Sequence, residues 1–322
     1  MKKYIQILSA IFFLQSSFSY AQPIVYFGHG LGGYEDHAKL YASTFPGCQM
    51  STFNFPDAQN NYKDKKLISA GQDNDVQAFI QNIKNNPGQK GDKKILMGVS
   101  RGAICVSNLF NRKMKKKYKH EALLQSVNGI ILESPAARIQ DGVDHELKRF
   151  GAGWVPYLGS IVDRFFVKSF FYGGYNPAGP HPIDSIQEIP KDLPVLFICT
   201  EEDCIIPASS TVRLAHKLVD SGHKQVYLFV YKKGSHGHMI GSRYKKYVKA
   251  FLQKCGVNQK KGDKKILDKI KFSCNNRKSL EKLYDLNKRL RRSNWEKYSG
   301  RNSAAFLGCI GLLALASLYF LR

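Results

Sequence analysis

Acidic side chains are scarce in this 322-residue chain: 25 Asp and Glu stand against 49 Lys and Arg, a formal charge of +24. Ordered cysteine spacing is missing as well. The seven cysteines are not grouped in the regular pairs that a zinc site or a disulfide-stapled mini-domain requires, so no metal is expected. No self-similar period suggests a solenoid, and only the basic C-terminal tail approaches low complexity. What is present is 43% hydrophobic and 12% aromatic content, enough to bury a sizeable core in one large domain or two small ones. Global disorder is excluded.

A large positive charge raises two partner classes, nucleic acid and anionic membrane, and its distribution weighs between them. About 11 of the net charges fall between Lys254 and Arg301, and a second cluster runs from Arg112 to Lys119, which leaves the body only moderately basic. These basic runs lack the interleaved aromatics that stack on bases, so nucleic acid is an unlikely partner.

Met1-Lys2-Lys3, the apolar run Ile5 to Leu14 and the closing Ser19-Tyr20-Ala21 read as a secretory signal peptide over residues 1–21, too short in its apolar part to span a bilayer. Residues 304–321 form an uncharged apolar stretch that would measure about 27 Å as a helix, sufficient to span the hydrocarbon core. It reads as a C-terminal transmembrane segment, and residues 254–303 before it as a basic helical or flexible linker. The chain is thus expected to be exported and membrane-anchored. Its orientation stays open, because Arg289, Arg291, Arg292, Lys297 and Arg301 would lie on the exported side against the positive-inside rule. The linker could instead lie along anionic headgroups. Export would permit disulfides, and the six cysteines outside the anchor allow about 15 pairings.

Between residues 22 and 253 short apolar runs alternate with helix-length segments. Ile24 to Phe27, Gln49 to Phe53, Lys94 to Val99, Gly129 to Leu132, Val195 to Thr200 and Val226 to Tyr231 read as buried strands. Asp75 to Lys84, Gly102 to Phe110 and Ser209 to Val219 carry helical periodicity. The pattern predicts an α/β fold with a mostly parallel sheet of about six strands, with ligands at the C-terminal strand ends. Residues 136–190 break the rhythm with Gly, Pro and aromatics, including Phe165, Phe166, Phe170, Phe171 and Tyr172. They read as an inserted cap whose aromatics either meet an apolar substrate or pack the cap onto the body.

Four sites carry the chemistry. Gly98-Val99-Ser100-Arg101-Gly102 follows a strand and opens a helix, the setting of a nucleophile elbow, where glycines on both sides of Ser100 relieve a strained turn. Gly28-His29-Gly30-Leu31-Gly32-Gly33 follows the first strand and exposes backbone N–H groups suited to an oxyanion. Its Gly-x-Gly-x-x-Gly spacing also permits a dinucleotide loop, but no acidic residue closes the next strand. Asp203 stands just past a strand, three residues before Ile206-Pro207. His236, preferred over the alternate His238, lies in a glycine-flexible loop after the last strand.

These residues resemble the α/β-hydrolase superfamily of serine hydrolases over about Pro23 to Leu252. The resemblance implies Ser100 as nucleophile, His236 as general base, Asp203 as the orienting acid, and the backbone N–H groups of Leu31 and Arg101 as the oxyanion hole, with no cofactor. The implied substrate is a small-molecule or lipid acyl group. Ester or thioester cleavage, a peptidase on the same triad, and a non-catalytic membrane-associated binding protein all fit. Three departures stand out. The two antiparallel strands usual at the start of the fold are missing. Arg101 places a cation at the pocket floor or rim, or points outward. Glu133 is a rival acid, or caps the next turn.

Overall fold

The computed structural model describes residues 22–149, 151–154, 157–237, 239–257 and 265–272. Strands β1 (Ile24–Gly28), β2 (Gln49–Thr52), β3 (Lys94–Val99), β4 (Val127–Glu133), β5 (Val195–Thr200) and β6 (Val226–Tyr231) form one sheet in the order β2-β1-β3-β4-β5-β6. Every pairing in it is parallel, where the sequence led us to expect a mostly parallel sheet.

The near-continuous apolar strands follow from burial on both faces. Along β3, Leu96 joins Val76, Phe79 and Val106 in one core. Its neighbours Ile95 and Met97 point the other way, into a second core with Phe27, Tyr41 and Phe251. The helix Asp73–Asn85 shows how sequence sets this packing. Val76, Phe79, Ile80 and Ile83 are buried at i, i+3, i+4 and i+7, and Asp73 and Asp75 occupy the positive first turn.

Because all strands run the same way, the loops after β1, β3, β5 and β6 emerge on one edge of the sheet. The chain passes from β1 outward to β2 and then returns to β3 on the other side of β1. That reversal opens a crevice at the C-terminal ends of β1 and β3. Over this edge lie the helix Ile139–Arg149, the short helix Leu158–Ile161 and the π-helical turn Val162–Phe171, all within the segment read as a cap.

The body extends past residue 253, where the sequence reading ended it. Val257, Ile266 and Leu267 are buried in the second core. The Leu228 amide donates to the Ile270 carbonyl and the Phe272 amide to the Val226 carbonyl, at 2.8 and 2.9 Å, adding an antiparallel bridge at the β6 edge. The start of the expected linker is therefore part of the sheet domain. The signal peptide and the C-terminal transmembrane segment, residues 1–21 and 304–321, lie outside the described residues. Among the described residues no helix is long and apolar enough to cross a membrane.

This edge packing is testable. Phe272→Ala is expected to lower stability in urea unfolding by about 3 kcal/mol, as for a buried aromatic. A linker residue would change it by roughly 0.5 kcal/mol or less.

Candidate active site

Ser100 ends β3 and begins the helix Arg101–Leu109 with φ 53° and ψ −114°, a conformation costly for a residue with a side chain. Glycine makes the turn possible. A Cβ on Gly98 would overlap the Gly102 carbonyl, and one on Gly102 would overlap the carbonyl oxygen of Gly28. The nucleophile turn and the β1 loop are thus in backbone contact. The Ser100 amide donates to the Glu133 carbonyl at 2.8 Å, tying the turn to β4 as well.

The structure brings Ser100, Asp203 and His236 together. His236 Nδ1 donates to Asp203 Oδ2 at 2.7 Å and lies 2.9 Å from Oδ1, while Nε2 accepts from Ser100 Oγ at 2.8 Å. With the Nδ1 proton on the carboxylate side, Nε2 is the free acceptor that a serine hydroxyl needs. Asp203 is buried, and its Oδ1 also accepts the backbone N–H groups of Ile205 and Ile206 at 2.9 and 2.8 Å. The Ile-Ile-Pro segment thereby holds the carboxylate in place. His238, the alternate imidazole, lies outside the described residues.

Glu133 is not the rival acid, and it caps no turn. Its carboxylate is fully buried and accepts from Tyr41 Oη at 2.9 Å, Tyr244 Oη at 2.8 Å and the Met239 amide at 3.4 Å. It therefore supports the segment just after His236 without touching the imidazole. Burial raises its pKa, and the two tyrosines offset part of that.

Arg101 lines the cavity, but its charge is neither offered to it nor turned to solvent. Its guanidinium is buried between two fully buried carboxylates. Nε donates to Asp75 Oδ2 at 2.6 Å and Nη2 to Asp75 Oδ1 at 2.5 Å. Nη1 donates to Asp57 Oδ2 at 2.6 Å, and Nη2 also reaches Asp57 Oδ1. The face of Phe55 lies 4.5 Å from the guanidinium carbon. Burial alone would lower the Arg101 pKa; Asp75 and Asp57 outweigh it and raise it.

Sequence reasoning missed Asp57, Asp75, Phe55 and His29, which form the underside of the site. Burial pushes His29 down to about 4, so it is neutral near pH 7. Its Nδ1 donates to the Gly30 carbonyl at 2.8 Å and its Nε2 accepts the Phe55 amide at 3.3 Å. The Gly28–Gly33 loop and the helix that begins at Arg101 therefore rest on one aromatic residue. Spacing gives little sign of them: Asp57 stands past the end of β2, two residues beyond Phe55, and its partner Arg101 is 44 residues away.

A cavity of about 790 Å³ opens above Ser100. Leu31, Arg101 and His236 border it beside Ser100, and Ile104, Val143, Leu147, Val162 and Val167 supply most of an apolar wall in which Glu146 and His37 also take part. Arg101 is the first residue of its helix, so its N–H is among the donors left without an intrahelical partner. A Cβ added to Gly30 would stand 3.6 Å from that of Ser100, so the loop that carries Leu31 passes beside Ser100, and Leu31 lines the same cavity. Among the described residues no group of three or more His, Cys, Asp or Glu could hold a metal ion.

No protein-family model and no curated protein matches the chain. Solved structures resemble it. The acylaminoacyl peptidase of Pyrococcus horikoshii aligns over 79% of this chain and 40% of its own, with 19% identity and a TM-score of 0.50. An esterase of Pyrococcus furiosus aligns over 72% and 83%, with 16% identity and a TM-score of 0.49. The monoacylglycerol lipase of Paleococcus ferrophilus aligns over 74% and 96%, with 16% identity and a TM-score of 0.45. At such identities the likeness speaks to fold alone: the chain has the α/β-hydrolase fold.

Two outcomes follow. Arg101→Met leaves the two buried carboxylates of Asp57 and Asp75 without a cation and is expected to cost about 3–5 kcal/mol in chemical denaturation. Replacing Arg101, Asp57 and Asp75 together by apolar residues of similar volume should cost less. Glu133 gives a pH signature. A carboxyl with a raised folded pKa favours folding below its unfolded pKa, and that contribution is lost as pH rises through the folded value. Thermal melts should show Glu133→Gln gaining on the wild type as pH rises above about 4.3, the ordinary glutamate value.

Proposed function

We propose that the protein is a serine hydrolase that cleaves carboxylic esters or thioesters of lipid-like acyl groups through an acyl-enzyme. The observation that carries this reading is the hydrogen-bonded line Asp203–His236–Ser100, ending on a serine held in a strained turn at the mouth of an apolar cavity.

Ser100 Oγ attacks the acyl carbonyl carbon as its proton passes to His236 Nε2. Asp203, hydrogen-bonded to Nδ1, stabilises the imidazolium that forms. The oxyanion lies at the helix N-terminus, where the N–H groups of Arg101 and Leu31 donate to it and the helix dipole favours negative charge. Collapse of the adduct expels the alcohol or thiol, which takes the proton from His236. Water then attacks the acyl-serine by the same route in reverse roles.

The cavity supports an uncharged, apolar acyl group. Its walls are mostly aliphatic, and the one cation among the catalytic neighbours, Arg101, is consumed by two carboxylates. A peptidase acting through the same three residues is the second reading, kept because one similar structure is an acylaminoacyl peptidase. Export and C-terminal anchoring, expected from residues 1–21 and 304–321, belong to this proposal: the enzyme would act at or near a membrane on a small-molecule or lipid substrate, without nucleic acid.

Labelling of the full chain by a fluorophosphonate should occur in the wild type and be lost in Ser100→Ala and His236→Ala. Equal labelling of all three, or of none, refutes the triad. On p-nitrophenyl esters, kcat/KM should rise roughly fourfold per added methylene until the cavity is filled, as expected when each buried methylene contributes about 0.8 kcal/mol. Turnover of acyl-amino-acid amides with no such dependence would favour the peptidase.

A further inference from the structure

The helical segment above the cavity has two apolar faces, and among the described residues only the inner one is packed. Val162 and Val167 face inward and line the acyl cavity. On the outside, Trp154 is 80%, Tyr157 83%, Ile161 48% and Phe165 60% exposed, a concentration of large apolar side chains that is unusual in water. Tyr157, Ile161 and Phe165 recur every four residues along Leu158–Ile161 and the π-helical turn that continues it, so they follow one side of the rod. Arg164 and Lys168 are exposed on the same stretch. The one carboxylate of the turn, Asp163, is buried and accepts from Tyr175 Oη at 3.2 Å. The surface presented outward is therefore aromatic and basic.

We infer that this outer face of the cap docks on a bilayer that carries anionic headgroups. Trp and Tyr favour the headgroup level, where the ring is apolar and the edge is wet. A helix with aromatics on one side and cations beside them lies in that plane, and each cation near an anionic surface adds attraction. Charge complementarity selects an anionic bilayer over a neutral one. Continuity selects the cap: the same segment that meets the lipid walls the cavity on its inner side, and Leu31 and Ile205 at the cavity rim are exposed too. This docking rests on the cap surface and does not require an active Ser100.

The chain has two tryptophans, Trp154 and Trp295. Full-length protein carrying Trp295→Phe therefore reports from Trp154 alone. Adding vesicles of phosphatidylglycerol and phosphatidylcholine should shift its emission to the blue, and bromine-labelled phosphatidylcholine should quench it. Vesicles of phosphatidylcholine alone should do neither at the same ionic strength. Arg164→Gln with Lys168→Gln should weaken the response roughly 30-fold, and Ser100→Ala should leave it intact, so that loss of catalysis and loss of docking are read separately. Protein that sediments with the vesicles while Trp154 emission stays unchanged would place the contact elsewhere in the chain and overturn the inference. So would a blue shift that depends on protein concentration without vesicles, which would assign the face to a second copy.

Discussion

The site depends on one backbone contact. Gly102, at the start of the nucleophile helix, lies against the carbonyl of Gly28 at the end of β1, with no room between them for a methyl group. Since β1 and β3 are hydrogen-bonded neighbours whose Gly28 and Gly98 stand in register, this approach fixes the helix axis relative to both strands. Ser100 must then turn through a left-handed conformation, and its hydroxyl is pushed out over the sheet edge. The loop that follows β1 passes beside it, with Gly30 in contact range of Ser100 and Leu31 lining the same cavity. The strain is held by two packed cores, one on each face of the sheet, and a strained turn persists only where its surroundings over-determine it.

Electrostatics at the site run against those of the chain. A protein of formal charge +24 places at its candidate site the buried carboxylates Asp57, Asp75, Glu133 and Asp203, with one buried cation, Arg101. Each carboxylate is matched to donors. Asp57 and Asp75 share the guanidinium, Asp203 takes two backbone amides and the imidazole, and Glu133 takes two phenols and an amide. Low local dielectric makes such groups costly when unpaired and directional when paired. The positive excess stays in the surface helix Arg112–Tyr118, where Lys117 reaches Asp73, and in the tail.

What the sequence made legible was whatever depends on local order. β3, β5 and β6 begin and end where the apolar runs do, because both sheet faces are buried and each strand is predominantly apolar. Ser100, Asp203 and His236 could be singled out because each follows a strand end, and a parallel sheet gathers those ends on one edge. Arg101 was misread because its partners lie 26 and 44 residues away, beyond anything that spacing encodes. Glu133 was misread for a related reason: strand position put it near the histidine, but Tyr41 and Tyr244, from helices on the far face, hold its carboxylate. The end of the domain was misplaced because charge density marked residue 254 as a boundary. Ile266, Leu267 and Phe272 are apolar positions spaced through that basic run.

The division of labour between sheet and cap follows from how each is held. Ser100, Asp203 and His236 follow the ends of β3, β5 and β6, strands packed between two cores, so their separations are set by the sheet. The two ends of the cap segment are anchored, with Ala137, Ile186 and Ile189 in the main core, but its helical middle rests on less. That part meets the body in two small clusters, Ala70, Val167 and Tyr175 with Ile139, Val143, Val162 and Tyr172 partly buried around them, and Ile104, Ala136 and Ile206 against Ile139. Inside it the burial of Asp163 raises that carboxyl's pKa, and its Oδ1 has no hydrogen-bond partner among the described residues. A π-helical stretch carries the segment, a form rare enough in helices to mark function more often than stability. Elements with few buried apolar contacts sit at the low end of local stability. The geometry of the Asp203–His236–Ser100 line is thus fixed by the sheet, while the shape of the apolar cavity is set in part by the less tightly held segment above it.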